Sequence, residues 1–458
     1  MGGDRPAGGD RDPLESAAAD HGRPRPARRH GARAEPAPAR PPPRRGPAGA
    51  RARGGALGRA AAARPAGGGA RAGLEGADAP GRREHPRHPR PRRGRPPPAA
   101  APAPPSHRPG PLVPARPLRP RLDYRAVPGS PVPREPLFFE RIGVPAVWGG
   151  RRLAADLGWD PPFADPLGET WEVSDLPGRE SVVRGGEFGG SSLRELMAAA
   201  GRRLLGRSRP GAGGRFPLLV KFLEAGSDLS VQVHPGGDDP AAPGKVECWT
   251  FLDGCEPGAE VLCGLAPGTS REAFAAAAGT PECPRLLDRH PARPGEFLFV
   301  PPGQPHSVRR GVRLLEIQQT SDTTYRLWDW DRTGLDGLPR QLHLEAGLAA
   351  IDFDHPLAPP FAPEYRANPA GCEAALLVHC EPFLVRALRL PTRHLLRPRS
   401  YACVLAVVRG RGAVADPDGA FPRRGLRFGD VFLLPADTGP VLLEPDPEGL
   451  ELIEATAL

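Results

Sequence analysis

The chain is nearly devoid of lysine: of 62 Lys plus Arg in 458 residues, only Lys221 and Lys245 are Lys. Its seven cysteines (Cys248, Cys255, Cys263, Cys283, Cys372, Cys380 and Cys403) form no Cys-x-x-Cys pair. That excludes a thiolate zinc ribbon and the disulfide framework of a small secreted domain, and it fits a reducing compartment. No apolar run reaches the roughly 18 residues of a membrane span. The opening stretch Met1–Asp12 lacks the apolar core of a secretory signal. A cytoplasmic protein without a membrane partner is therefore expected.

Aromatic residues are missing from one region above all. Residues 1–135 contain no Phe or Trp, and Tyr124 is their single aromatic side chain. The segment is built from Arg, Pro, Ala and Gly. It cannot bury enough apolar surface to offset chain entropy, so a disordered leader is expected. It carries 28 Arg, no Lys and 11 acidic residues, a net of +17 against +9 for the whole chain, which leaves −8 for the remainder. Arginine clusters such as Arg92–Arg93 attract phosphate. The absence of stacking aromatics argues against a nucleic-acid-binding arm. The leader reads as a solvated tail, or as sequence lying upstream of a true start near Val127–Val132.

The texture changes at Pro136. A cap at Ser191 or Ser192 and apolar residues at Leu193, Leu196, Met197, Leu204 and Leu205 predict a helix over Ser192–Leu205. Thr170–Val173 reads as a strand, and Trp148 and Trp171 read as packing residues. From Leu218, short β runs follow one another: Leu218–Leu223, Leu229–His234, Lys245–Leu252, Glu260–Leu265, Phe297–Val300, Arg313–Gln319 and Tyr325–Trp330. One helical interlude, Ser270–Ala278, interrupts them. The expectation is a mainly β fold, a jelly-roll barrel over residues 136–353. Pro356–Pro363 reads as a linker. A second, smaller β unit over 354–458 has strands at Phe383–Leu390, Cys403–Val408, Val431–Leu434 and Leu450–Glu454. The segment Gly429–Pro435 echoes Gly295–Pro301, but Pro440 stands where a histidine would fall, so this unit reads as degenerate and metal-free.

Four groups in Leu218–Val308 can converge on one metal ion: Gln232, His234, Glu247 and His306. Gln232 and His234 lie two apart in an alternating run, hence on one face of a strand. Glu247 lies on the next β run. His306 re-enters after the turn at Pro301, Pro302 and Gly303. Two imidazoles, a carboxylate and an amide oxygen suit a borderline divalent ion such as zinc, one per chain, with a position left open. Both lysines fall in the same stretch although the background strongly favours Arg. A compact ammonium does what a guanidinium cannot in a tight pocket, so Lys221 and Lys245, with Ser230, read as binders of an anionic group such as phosphate. Glu316 and Arg326 lie on later strands. They read either as catalytic groups or as a structural Arg–carboxylate pair. His290 reads as loop and His343 as a surface or edge residue, neither a ligand.

The motifs Ser230–Pro235, Gly244–Trp249, Pro301–His306 and Leu315–Arg326, in this order and spacing, resemble the type I mannose-6-phosphate isomerases, zinc-dependent enzymes of the cupin superfamily. The likeness covers most of residues 136–353. It implies zinc on Gln232, His234, Glu247 and His306, phosphate on Lys221, Ser230 and Lys245, and Glu316, Arg326 and Lys245 in the catalytic pocket. The implied activity interconverts mannose 6-phosphate and fructose 6-phosphate through a cis-enediol, with a hexose phosphate as the small-molecule partner. Glu316, Lys245 and a metal-bound water are the candidates for the proton-shuttling base. The alternative is a non-catalytic cupin that binds or senses a sugar phosphate.

Overall fold

The run Leu218–Glu224 (Leu-Leu-Val-Lys-Phe-Leu-Glu) is buried along its entire length. A strand of such continuous apolarity must have a layer on each side, and that is how it sits in this computed structural model. The structure describes residues 133–158, 166–237, 239 and 242–458. The expected leader therefore lies, over residues 1–132, outside the described residues.

Leu218–Glu224 is an inner strand of a six-stranded sheet in the order Phe297–Val300, Glu247–Phe251, Arg313–Gln319, Leu218–Glu224, Leu167–Val173, Ile142–Gly150. All these pairings are antiparallel. One face of the sheet packs, through Leu223, Trp249, Phe251, Leu298 and Leu314, against Val261, Cys263 and Val308. Those three belong to a five-stranded sheet ordered Leu287–Pro291, Glu260–Leu265, His306–Val308, Val231–Val233, Tyr325–Trp328. The two sheets form the expected barrel. The outer face of the five-stranded sheet is closed by Phe274 and Ile351. Phe274 lies on the helix Arg271–Ala277, capped by Ser270, and Ile351 ends the helix Leu344–Ala350.

The opposite face of the six-stranded sheet, through Leu218, Val220, Phe222, Leu315 and Ile317, shares a core with Val385, Val404, Ala406 and Ile453 of the C-terminal segment. The helix Leu193–Leu205 joins this core. Its apolar residues fall where the sequence places them, and Ser192 caps it in a reciprocal capping box with Glu195. In the nine-stranded C-terminal sheet alternate residues divide between two cores: Val404 and Ala406 face the first barrel, Cys403, Leu405 and Val407 face away. The strand Leu137–Phe138 adds to this sheet beside Val431–Leu434.

Three features depart from the sequence reading. Leu287–Pro291 is a strand, and His290 is buried within it, donating from Nε2 to Cys263 O at 3.1 Å. Pro291 disguised it, but an edge strand tolerates a missing N–H. The C-terminal strands run longer than expected, Cys403–Ala415 and Val441–Ala457. They continue through Gly410 because its backbone crosses that of Gly449, where a Cβ would stand 2.1 Å from the Gly449 oxygen. Finally, the helices Arg152–Asp156 and Leu344–Ala350 lack strong caps and had no sequence signal. Gly149, in the Trp148–Gly150 motif, is demanded by packing: a Cβ there would lie 2.5 Å from the Leu167 carbonyl carbon.

Candidate metal centre

Val231 and Val233 point into the outer layer with Phe274 and Leu327. Gln232, between them, must face the inner sheet. His234 follows at the end of that strand. Gly303, at φ +85°, makes the turn that returns the chain, and its N–H donates to His234 O at 2.9 Å. His306 then opens its strand directly opposite Gln232 and Cys263. Across the barrel, Glu247 opens the facing strand opposite Gln318, and two residues along, Glu316 stands opposite Lys221.

The side chains converge. His234 Nε2 lies 3.4 Å from Glu247 Oε2, and His306 Nε2 lies 3.4 Å from Glu247 Oε1. One ligand atom from each of these three residues lies within 4.8 Å of the others. Each imidazole turns its Nδ1 onto a backbone carbonyl, His234 onto Thr323 O at 2.8 Å and His306 onto Gln304 O at 2.9 Å. A carbonyl only accepts, so Nδ1 carries the proton and Nε2 presents a lone pair. Both Glu247 oxygens are buried and accept no well-formed hydrogen bond. Two unprotonated imidazole nitrogens and a carboxylate, with the Gln232 amide beside His306, form the donor set of a borderline divalent cation.

A buried chain of alternating charge leads away from these atoms. Lys245 Nζ lies 2.7 Å from Glu247 Oε2, 3.2 Å from His234 Nε2 and 3.3 Å from Glu316 Oε1. Lys221 Nζ lies 3.0 Å from Glu316 Oε2 and 3.5 Å from Glu169 Oε1. Glu169 in turn accepts from Trp171 Nε1 at 2.6 Å. Burial pushes Glu316 up to about 7, against the pull of Lys221 and Lys245. Burial raises Glu247 as well, but Lys245 and His234 outweigh it and hold the carboxyl well below the usual range. Burial also opposes the charge on Lys221, yet Glu169 and Glu316 reverse this and raise it above an ordinary lysine.

Burial, reinforced by Lys245, lowers His234 to about 4. The unfolded histidine titrates near 6.5, so between these values the unfolded chain binds the proton and the folded chain does not. His234 by itself is therefore expected to cost the metal-free protein on the order of 3 kcal/mol of stability as pH falls from above 6.5 to 4, at 1.36 kcal/mol per unit, while Glu316, raised to about 7, acts in the opposite sense. Unfolding in chelator followed by circular dichroism across that range isolates it as the pH dependence of the stability difference between wild type and His234→Gln. A difference that does not change with pH would show that His234 is not held neutral.

Not every residue singled out in the sequence joins the cluster in the expected way. Lys221 and Lys245 are about 5% exposed and already matched by carboxylates. Ser230 Oγ bonds the Gln232 amide oxygen at 3.1 Å. Glu316 and Arg326 are not partners: the lysines hold Glu316, and Arg326 donates from Nη1 to Gln341 O at 2.9 Å. Arg326 nevertheless stands opposite Gln232, in line with His306, and its buried Nε has no partner. His343 accepts from the Arg326 backbone N–H at 3.1 Å and lies off the metal cluster. Glu169 was given no role in the sequence. Its signal was a carboxylate two residues from Trp171 in a strand that borders Lys221.

Residues 144–246 match the phosphomannose isomerase type I catalytic domain. Mannose-6-phosphate isomerase ManA of Bacillus subtilis is 34% identical over 315 residues, covering 68% of this chain and 96% of the relative. The chain belongs to the mannose-6-phosphate isomerase family. Another family member, the mannose-6-phosphate isomerase of Streptococcus mutans, is 33% identical over 66% of this chain and 92% of its own. The crystal structure of the B. subtilis mannose 6-phosphate isomerase superposes with a TM-score of 0.63 at 29% identity, covering 70% of this chain and 99% of that one. A mannose 6-phosphate isomerase bound with zinc and yttrium shares the isomerase fold at 18% identity and a TM-score of 0.55, over 70% of this chain and 99% of that one. Among the described residues of this family member, no helix is long and apolar enough to cross a membrane, and all seven cysteines are free thiols.

Proposed function

We propose that this chain interconverts mannose 6-phosphate and fructose 6-phosphate with one zinc ion per chain, held by Gln232, His234, Glu247 and His306. The observation that carries the reading is the convergence of His234, Glu247 and His306 within 4.8 Å, next to a carboxyl that titrates near neutral pH. Zinc bound there supplies Lewis acidity, polarising the sugar oxygens beside the reacting carbons.

The protein groups handle the proton. Taking the C2 proton leaves its electron pair in the C1–C2 enediolate. Returning a proton to C1, with transfer of the O2 proton to O1, gives the ketose, so no oxidant or reductant is needed. A carboxyl at about 7 can accept and then release a proton at working pH, which favours Glu316 as the shuttle. Lys245, 3.3 Å from Glu316 and 2.7 Å from Glu247, orients both carboxylates and favours their charged forms, against the burial that raises Glu316. Lys221 backs Glu316 from the far side. Arg326, with a free buried N–H, is the cation placed to steady the enediolate or the phosphate.

Arg326→Ala is expected to lower kcat roughly 10²–10⁴-fold at unchanged metal content. Near-wild-type turnover would remove Arg326 from the mechanism. The proposed activity itself is tested by a coupled assay of the full chain with mannose 6-phosphate. Activity abolished by a chelator and restored by zinc supports it. A chain that binds one zinc ion and turns over no mannose 6-phosphate would refute it.

A further inference from the structure

Ser230 is buried, 3% exposed, and its hydroxyl is spent on a neighbour: Oγ lies 3.1 Å from Gln232 Oε1, while the other end of that amide, Nε2, lies 3.2 Å from His306 Nε2. The backbone that carries Ser230 is pinned. Leu229 O accepts from Ser307 Oγ at 2.8 Å and from Trp330 Nε1 at 2.7 Å. Trp330 reaches it from a left-handed backbone, φ 59°, which a bulky residue adopts only under constraint.

We infer that Ser230 is a positioning residue of the metal centre, holding the outer end of the Gln232 amide, rather than a contact for the substrate phosphate. The inference rests on Gln232 being a zinc ligand. An amide has a donor end and an acceptor end. Against the unprotonated Nε2 of His306 it must turn its NH₂ inward, as it does here. Toward a cation it must turn its oxygen inward. A half-turn of the amide exchanges the two without moving the backbone. A hydroxyl both donates and accepts, so Ser230 satisfies the outward end in either arrangement. Alanine would satisfy neither, and the amide would lose the partner that fixes its plane. Outer partners of this kind contribute about 10–100-fold to metal affinity.

The test measures zinc dissociation constants of the full chain by competition with a chromophoric chelator. It compares wild type, Ser230→Ala, Gln232→Glu and the double variant. Ser230→Ala is expected to weaken zinc about 10–100-fold, with KM for mannose 6-phosphate unchanged at saturating zinc. A glutamate at 232 offers two acceptor oxygens and needs no orientation. In that background the same serine change is expected to cost no more than about twofold, the error of independent sites. Unaltered zinc affinity in Ser230→Ala overturns the inference, as does an equal loss in both backgrounds, which is what simple damage to the fold would give. A raised KM with unaltered zinc affinity would return Ser230 to the phosphate. Wild-type chain that binds no zinc would instead overturn the ligand reading beneath it.

Discussion

Glu316→Gln is expected to reduce kcat about 10²–10⁴-fold, the scale of one general acid–base group, with zinc still bound. The substitution keeps the size of the side chain and removes its ability to carry a proton between carbons. Its structural cost is limited by the neighbours. Without the Glu316 charge, Lys221 still faces Glu169 at 3.5 Å and Lys245 still faces Glu247 at 2.7 Å. Neither ammonium is left bare, so the loss falls short of the 3–5 kcal/mol that follows complete removal of a buried partner. Thermal melts beside the kinetics separate the two effects. A folded Glu316→Gln enzyme with more than a tenth of wild-type kcat would exclude Glu316 as the shuttle and leave Lys245 as the candidate among the protein groups.

In the proposed ligand set, His306→Ala is expected to act on the metal. It removes an imidazole that is 1% exposed and fixed by Gln304 O, and leaves the proposed set of Gln232, His234 and Glu247 one ligand short. Lewis-acid stabilisation is worth several kcal/mol, so kcat/KM is expected to fall by about 10³-fold or more at limiting zinc. Zinc per chain, measured on the gel-filtered protein, should fall with it. The melting temperature should no longer rise on adding zinc, because a ligand stabilises only the fold that binds it. One tightly bound zinc per chain in the variant would take His306 out of the ligand set.

Much of this was legible in the sequence for local reasons. Alternation puts Gln232 and His234 on one face whatever the fold, and Gly303 had to be a turn before His306. The scarcity of lysine singled out Lys221 and Lys245, and both proved to lie in the buried centre. The helix Leu193–Leu205 announced itself by its cap and its spacing. Tertiary structure alone decided the rest. Register brings Glu316 opposite Lys221, and pairing across the sheet is not a local property. That register placed the two lysines, read in the sequence as phosphate binders, beside Glu169, Glu247 and Glu316. It also separated Glu316 from Arg326, and left Ser230 on the Gln232 amide. The near-neutral titration of Glu316 likewise belongs to burial between two sheets. The sequence determined which groups the centre contains, because side-chain type and strand period are local. Which of them touch, and with what charge, depended on strands far apart in the chain packing against each other.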